Sequence, residues 1–212
     1  MTGQKAQLLP GTSAKAIAVA AQLLRQGQLV VFPTDTVYGV GVVAFDVAAV
    51  EKLFMAKQRP FHKGIPILLA DPADLDKVAW DIPPVAHAYI AQYWPGPLTL
   101  VVPRRPGLPG NLAPNDTIAV RVPDCDIARA IIRQAGGAVA ATSANLSEQP
   151  PAQTAVAGMA SLGTVAAAVV DGGPSRGGAA STVVDCTVSP PQILRTGPIT
   201  AHELLTAVNL SL

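Results

Sequence analysis

The chain has 212 residues, of which half are hydrophobic, 14% charged and only 4% aromatic; this excludes a disordered chain and calls for a core of Ala, Val, Leu and Ile. Lys and Arg number 15 against 14 Asp and Glu, a net charge of +1, which excludes the broad basic footprint of a duplex-DNA binder but not a local basic pocket. No segment reaches the roughly 18 uninterrupted apolar residues of a membrane span.

The length suits one domain. Its expected bounds are 1–212, with a core over 14–197 and a short closing helix near 200–208. Residues 14–24 faintly resemble a signal-peptide core. Lys15, Gln22 and Arg25 interrupt it, so an amphipathic helix over 13–26 capped by Gly27 is expected, and with it a cytoplasmic protein. A strand follows at 29–32, then a loop at 33–41. Asp46 caps a helix over 47–57 with Val50, Leu53 and Phe54 on one face. The apolar run 65–70 reads as a strand covered on both faces. Asp71-Pro72 reads as an N-cap with proline at the first helical position, opening helical stretches at 73–80 and 84–93. A turn at Pro95-Gly96-Pro97 leads into a strand at 98–102.

The second half continues the alternation. A strand at 117–122 precedes a helix at 127–134, ended by Gly136-Gly137. A small-residue strand at 138–142 runs into a polar loop, and a helix spans 152–162. Strands at 165–170 and 182–185 flank a glycine-rich loop, 171–180. A last strand at 192–194 leads to a helix opened by the capping box Thr200…Glu203. This pattern predicts an α/β fold with an open, twisted mixed sheet flanked by helices. Ligands of such sheets bind on loops beyond the strand ends.

The distinctive residues lie in those loops. Pro33-Thr34-Asp35-Thr36 places two hydroxyls and a carboxylate after a buried strand, as a ligand cradle or as a turn satisfying its own backbone. Lys57, Arg59, His62 and Lys63 gather four potentially cationic residues into seven positions. A helix C-terminus accounts for Lys57, but the group as a whole suits phosphate. Ser143 and Asn145, two apart, can face one ligand or form an Asx or Ser turn. Thr117 and Arg121 share one side of a strand, and an arginine in an apolar strand needs an anion from protein or ligand. Ser181-Thr182 ends the glycine-rich loop, and Arg195 follows the last strand. Cys125 and Cys186 read as reduced, buried thiols rather than a disulfide framework or metal site. No HExxH, GxSxG, Walker A or GxGxxG pattern occurs. Candidate bases are few, which favours a reaction run by positioning and charge stabilisation, as phosphoryl and nucleotidyl transfer are.

Seven motifs in order resemble the YrdC-like threonylcarbamoyl-AMP synthases. They are Phe32-Pro33-Thr34-Asp35-Thr36-Val37-Tyr38-Gly39, Lys57-Gln58-Arg59-Pro60, Trp94-Pro95-Gly96-Pro97-Leu98-Thr99, Ala119-Val120-Arg121, Ser143-Ala144-Asn145, Ser181-Thr182-Val183-Val184-Asp185 and Leu194-Arg195. The resemblance implies a YrdC-type fold with a large concave cleft, in the short single-domain form. It implies L-threonine, bicarbonate and ATP as substrates, with Mg²⁺. The product would be threonylcarbamoyl-AMP, an adenylate passed to a separate tRNA threonylcarbamoyl-transferase complex. Carried over by position, Lys57, Arg59 and Lys63 would hold the ATP phosphates, Lys57 and Arg59 serving catalysis. Thr117, Ser143, Asn145 and Arg195 would line the nucleotide side. Thr36, Arg121, the backbone of Ala141, and Ser181 would hold threonine. Two departures stand out: Leu68 occupies the stretch where longer members carry a histidine, and Pro151 stands where some carry a serine. Two other readings stand beside it: a non-catalytic module using the same cleft for RNA binding or ribosome maturation, and an enzyme of the same fold making an adenylate from carbamoyl phosphate. Few aromatics and near-zero net charge argue against a stacking platform for single strands, leaving at most weak RNA binding.

Overall fold

A computed structural model describes residues 5–146 and 149–208. Its strands are β1 (Gln7–Pro10), β2 (Val30–Phe32), β3 (Gly39–Val43), β4 (Ile67–Leu69), β5 (Leu98–Pro103), β6 (Thr117–Arg121), β7 (Ala138–Ser143), β8 (Ala168–Asp171), β9 (Thr182–Asp185) and β10 (Gln192–Arg195). They form one open mixed sheet in the order β1-β8-β2-β3-β7-β4-β6-β5-β9-β10. The pairs β1/β8, β2/β8, β4/β6 and β5/β9 are parallel, and the others antiparallel. The helices are α1 (Ala14–Arg25), α2 (Val47–Lys57), α3 (Pro84–Tyr93), α4 (Asp126–Gln134), α5 (Ala155–Leu162) and α6 (Ala201–Ala207).

Local signals set most boundaries. The Ser13 hydroxyl caps α1, the Asp46 carboxylate accepts from Ala48 and Ala49 N–H, and Thr200 with Glu203 opens α6. Each satisfies donors that a helix start leaves unpaired. Gly27, just beyond α1, has φ +68°, a conformation that costs glycine little. Four expectations need correction. The end of the expected loop 33–41 is already strand β3, and β1 was not foreseen. Residues Pro72–Lys77 form a 3₁₀ helix rather than a longer helical stretch, and α5 starts at Ala155, not 152. Cys186 is buried but Cys125 only half-buried, and both are free.

The side-chain period of two divides the sheet into two cores. Val31, Val40, Val42, Ile67, Leu69, Leu98, Leu100, Ile118, Val120 and Ala140 pack under α2, α3, α5 and α6. Val30, Phe32, Leu68, Val139, Ala141 and Val170 lie on the opposite face under α1 and α4. Leu24 of α1 and Ile131 and Ile132 of α4 are fully buried there, worth roughly 1.5–3 kcal/mol each. Among the named helices only α1 and α4 contribute to this second core. Beyond their reach, Thr99, Ala119, Arg121 and Val183 continue the same face by parity along β5, β6 and β9. That uncovered part of the sheet is the floor of a cleft.

Candidate active site

A cavity of about 260 Å³ stands on this floor. Its wall includes Leu68, Thr99, Ala119, Arg121, Ala141, Ser143, Val183 and Arg195 from the sheet, with Thr34, Thr36, Arg59 and Ser181 from flanking segments. The small side chains Ala119 and Ala141 leave the space, and the polar ones other than Ser143 are set by bonds to the protein itself.

Arg121 is 5% exposed. Its Nε donates to Gly96 O at 2.9 Å, Nη1 to Thr36 Oγ1 at 2.9 Å and Nη2 to Asp35 Oδ1 at 2.5 Å. Burial pushes its pKa down and the Asp35 carboxylate opposes that shift; a guanidinium keeps its proton regardless. Of its five N–H groups, those three bonds leave two, one on each terminal nitrogen. The Thr34 hydroxyl donates to Val37 O at 2.6 Å, and its oxygen accepts from Thr36 N–H at 3.2 Å and Val37 N–H at 3.3 Å, with Thr36 Oγ1 3.0 Å away. Thr36 Oγ1 accepts from Arg121 Nη1, which leaves one of its two lone pairs for a ligand. Thr36 therefore offers a ligand an acceptor and Arg121 offers it donors.

A second cluster faces them. Thr99 Oγ1 and Ser181 Oγ are 2.8 Å apart, and Arg195 donates from Nε to Ser181 O and from Nη2 to Ser181 Oγ, both at 3.0 Å. Burial and the Arg121 charge push the Arg195 pKa down. Arg59 folds its own loop, donating from Nε to Lys63 O at 2.8 Å and from Nη2 to Gly64 O at 2.7 Å. Its pKa is also lowered by burial. Three desolvated guanidiniums thus share one cavity, and each gains when an anion enters.

Of the residues singled out in the sequence, Thr36, Arg59, Arg121, Ala141, Ser143, Ser181 and Arg195 come together here. Lys57, Lys63, Thr117 and Asn145 do not line the cavity. Lys57 is 2% exposed, and its ammonium donates to Ser143 O at 2.5 Å, to Asn145 O, and to Asn145 Oδ1 at 3.2 Å. Burial, then the Arg59 charge, lower its pKa to about 8. It joins the end of α2 to the loop after β7 instead of projecting into the cleft. Asn145 Nδ2 donates to Leu146 O and Gln149 O, so that side chain serves the same loop. Thr117 bonds Asn115 Oδ1 at 2.9 Å. It lies four residues before Arg121 on the same face of β6, about 13 Å along the strand. The sequence offers Thr34 only as part of a ligand cradle, and it points to no role for Thr99 or Val183 nor to Asp35 as the partner of Arg121. Parity along β5 marks Thr99 only once the β5/β6 register is known.

The glycine-rich loop after β8 is tied down beside this site. Tyr38 Oη donates to Gly173 O at 2.7 Å and accepts from Gly172 N–H, and Gly178 N–H donates to Thr36 O. At Gly177 a Cβ would meet Asp35 O at 2.7 Å, so the close approach of loop to cradle requires glycine there.

Comparisons with known proteins bear on the family and the fold. The profile of the Sua5/YciO/YrdC family, described as "Telomere recombination", matches residues 22–197. The threonylcarbamoyl-AMP synthase of Bacillus subtilis is 40% identical over 190 residues, covering 89% of this chain and 55% of that protein. The synthase of the same name from Pyrococcus abyssi is 39% identical over 189 residues, covering 89% and 56%. The chain thus spans about 55% of the length of these relatives. The crystal structure of P. abyssi Sua5 complexed with L-threonine superposes with a TM-score of 0.92 at 36% identity, covering 97% of this chain and 61% of that one. With its motifs in order, its open mixed sheet and its arginine-lined cleft, the chain belongs to the Sua5/YciO/YrdC family.

Proposed function

We propose that the chain condenses L-threonine, bicarbonate and ATP into threonylcarbamoyl-AMP, releasing pyrophosphate and water. The adenylate would supply the threonylcarbamoyl group for adenosine in tRNA through a separate transferase complex. One observation carries this reading: Arg121 with two unspent donors and Thr36 with an acceptor stand in the same cavity as Arg59 and Arg195. An α-amino acid complements the first pair, carboxylate on guanidinium and amine on the hydroxyl lone pair. A polyanion complements the second. The relative solved with threonine adds support.

In this reading Thr36, Arg121, Ser181 and Ala141 hold threonine. Ala141 N–H is already given to Pro66 O, so a backbone contact falls to its carbonyl. Some 260 Å³ is below the usual ~300–1,000 Å³ of a ligand pocket. The cavity therefore takes the amino acid, and the nucleotide extends outward past Ser143 and Arg195 toward Thr117. Arg59 and Arg195 take the phosphates, with Lys63 on the same loop as Arg59. Lys57 and Asn145 act from beneath by fixing the end of β7, where Ser143 stands, and the loop after it, and Lys57 adds positive potential.

The chemistry follows from that placement. The threonine amine attacks the carbon of bicarbonate, and water leaves to give a carbamate. A carbamate oxygen attacks the α-phosphorus of ATP, and the α–β bridging oxygen departs with pyrophosphate. The guanidiniums stabilise the charge on the transferring group, so no side chain need serve as covalent nucleophile. Among the described residues no group of three or more His, Cys, Asp or Glu could hold a metal ion. In this reading Mg²⁺ enters as the counter-ion of the triphosphate. No helix among the described residues is long and apolar enough to cross a membrane.

The test is product analysis. Purified chain, ATP, threonine and bicarbonate should give threonylcarbamoyl-AMP by mass spectrometry, with pyrophosphate release dependent on both threonine and bicarbonate. Absence of the adenylate under these conditions overturns the proposal.

A further inference from the structure

We propose that Asp35 is a positioning residue for amino-acid recognition, acting through Arg121 without itself touching the ligand. The inference rests on the function proposed above and adds a determinant of its substrate affinity. Asp35 does not line the cavity of Thr36, Arg121 and Ser181. It borders two other clefts, each shared with Asp124 and Arg176. Its side chain is 11% exposed and that of Arg121 6%, so Arg121 forms part of the cavity wall and Asp35 sits behind it.

A guanidinium is a planar fork whose aim is set by what holds its corners. Here Gly96 O, Thr36 Oγ1 and Asp35 Oδ1 each take one nitrogen. Gly96 and Thr36 are neutral, and among the described residues Asp35 is the one charged partner of Arg121. The contact therefore gives direction and also compensates a buried charge. Arg195 lies close enough for the two cations to oppose each other, since the Arg121 charge contributes to lowering the Arg195 pKa. Without the carboxylate, that repulsion acts on a guanidinium held only by neutral groups. The two unspent N–H groups then lose their fixed aim toward a ligand carboxylate. Thr36 is affected too, because its hydroxyl is oriented partly by the bond it accepts from Arg121.

The test compares Asp35→Ala with Asp35→Asn, which keeps an acceptor oxygen but no charge. Threonine binding is read by calorimetry, and KM for threonine, KM for ATP and kcat by pyrophosphate release. A charge-assisted contact of this kind predicts a threonine KM raised about 10- to 100-fold in Asp35→Ala and less in Asp35→Asn. KM for ATP and kcat at saturating threonine should stay within about twofold. A merely structural residue would move all three parameters together, and that result overturns the proposal. So does an unchanged threonine KM in both variants. Should Asp35→Ala fail to fold, Asp35→Asn decides alone: a threonine KM raised at least about threefold supports the inference, and an unchanged one rejects it. Wild-type chain that binds no threonine would reject the proposed function instead.

Discussion

Replacing Lys57 by Met separates a structural tie from a phosphate ligand. The ammonium, 2% exposed, is the donor to Ser143 O, Asn145 O and Asn145 Oδ1. Met preserves the apolar stem and removes the donor. Hydrogen bonds to a charged group contribute about 1.5–3 kcal/mol each. Losing the two carbonyl contacts would thus cost roughly 3–6 kcal/mol. Removing a buried ammonium also returns its desolvation cost, which is several kcal/mol and offsets part of that loss. A net destabilisation of about 2–3 kcal/mol remains, or a Tm lowered by roughly 4–12 °C for a chain of this size. The assay is thermal unfolding of Lys57→Met and wild type without ligand, followed by KM for ATP. A Tm within about 1 °C of wild type, with a raised KM for ATP, would refute the tie and return Lys57 to direct phosphate contact.

Arg59→Ala should remove pyrophosphate release that depends on threonine and bicarbonate; near-normal release would reject its role. Ser181→Ala deletes a hydroxyl that contacts both Thr99 and Arg195. A lost neutral bond of ~0.5–1.5 kcal/mol should raise the threonine KM about two- to tenfold, with a smaller rise in the ATP KM through Arg195. Hydrogen bonds from Arg129, then Arg133, hold the Asp71 carboxylate below its ordinary pKa. Its contribution is therefore complete above the unfolded value near ~4 and fades as pH falls through the folded one. Asp71→Asn should melt below wild type at pH 7, and the gap should close in strongly acidic buffer; a gap independent of pH would contradict the pairing. Burial, with Asp185 nearby, pushes the Cys186 thiol up to about 12, and burial also raises Cys125. A thiol-specific reagent at neutral pH should modify the native chain slowly and both cysteines fast after denaturation; two fast equivalents in the native state would disprove the burial.

The sequence by itself determined much of the local structure. The Asp46 cap, the period of α2 and the Thr200…Glu203 box act within a few residues of themselves, and these elements fold where their side chains say they should. It also determined the family, through motifs whose order no single motif conveys, and it singled out Arg121 as an arginine in need of an anion. Tertiary structure decided what that anion is within the protein. Asp35 is 86 residues away in the chain and Gly96 is 25, and no local signal links them. It likewise decided the fate of Lys57. A helix-terminal lysine beside Arg59 reads as a phosphate ligand in the sequence, and the end of β7 and the loop after it, 86 and 88 residues on, bring their carbonyls against its ammonium. Strand β3 was missed because its glycines, Gly39 and Gly41, have weak strand preference of their own. Pairing with β2 and β7 supplies what propensity does not. Which residues line the cleft depends on sheet register, and register is settled by burial across strands distant in sequence.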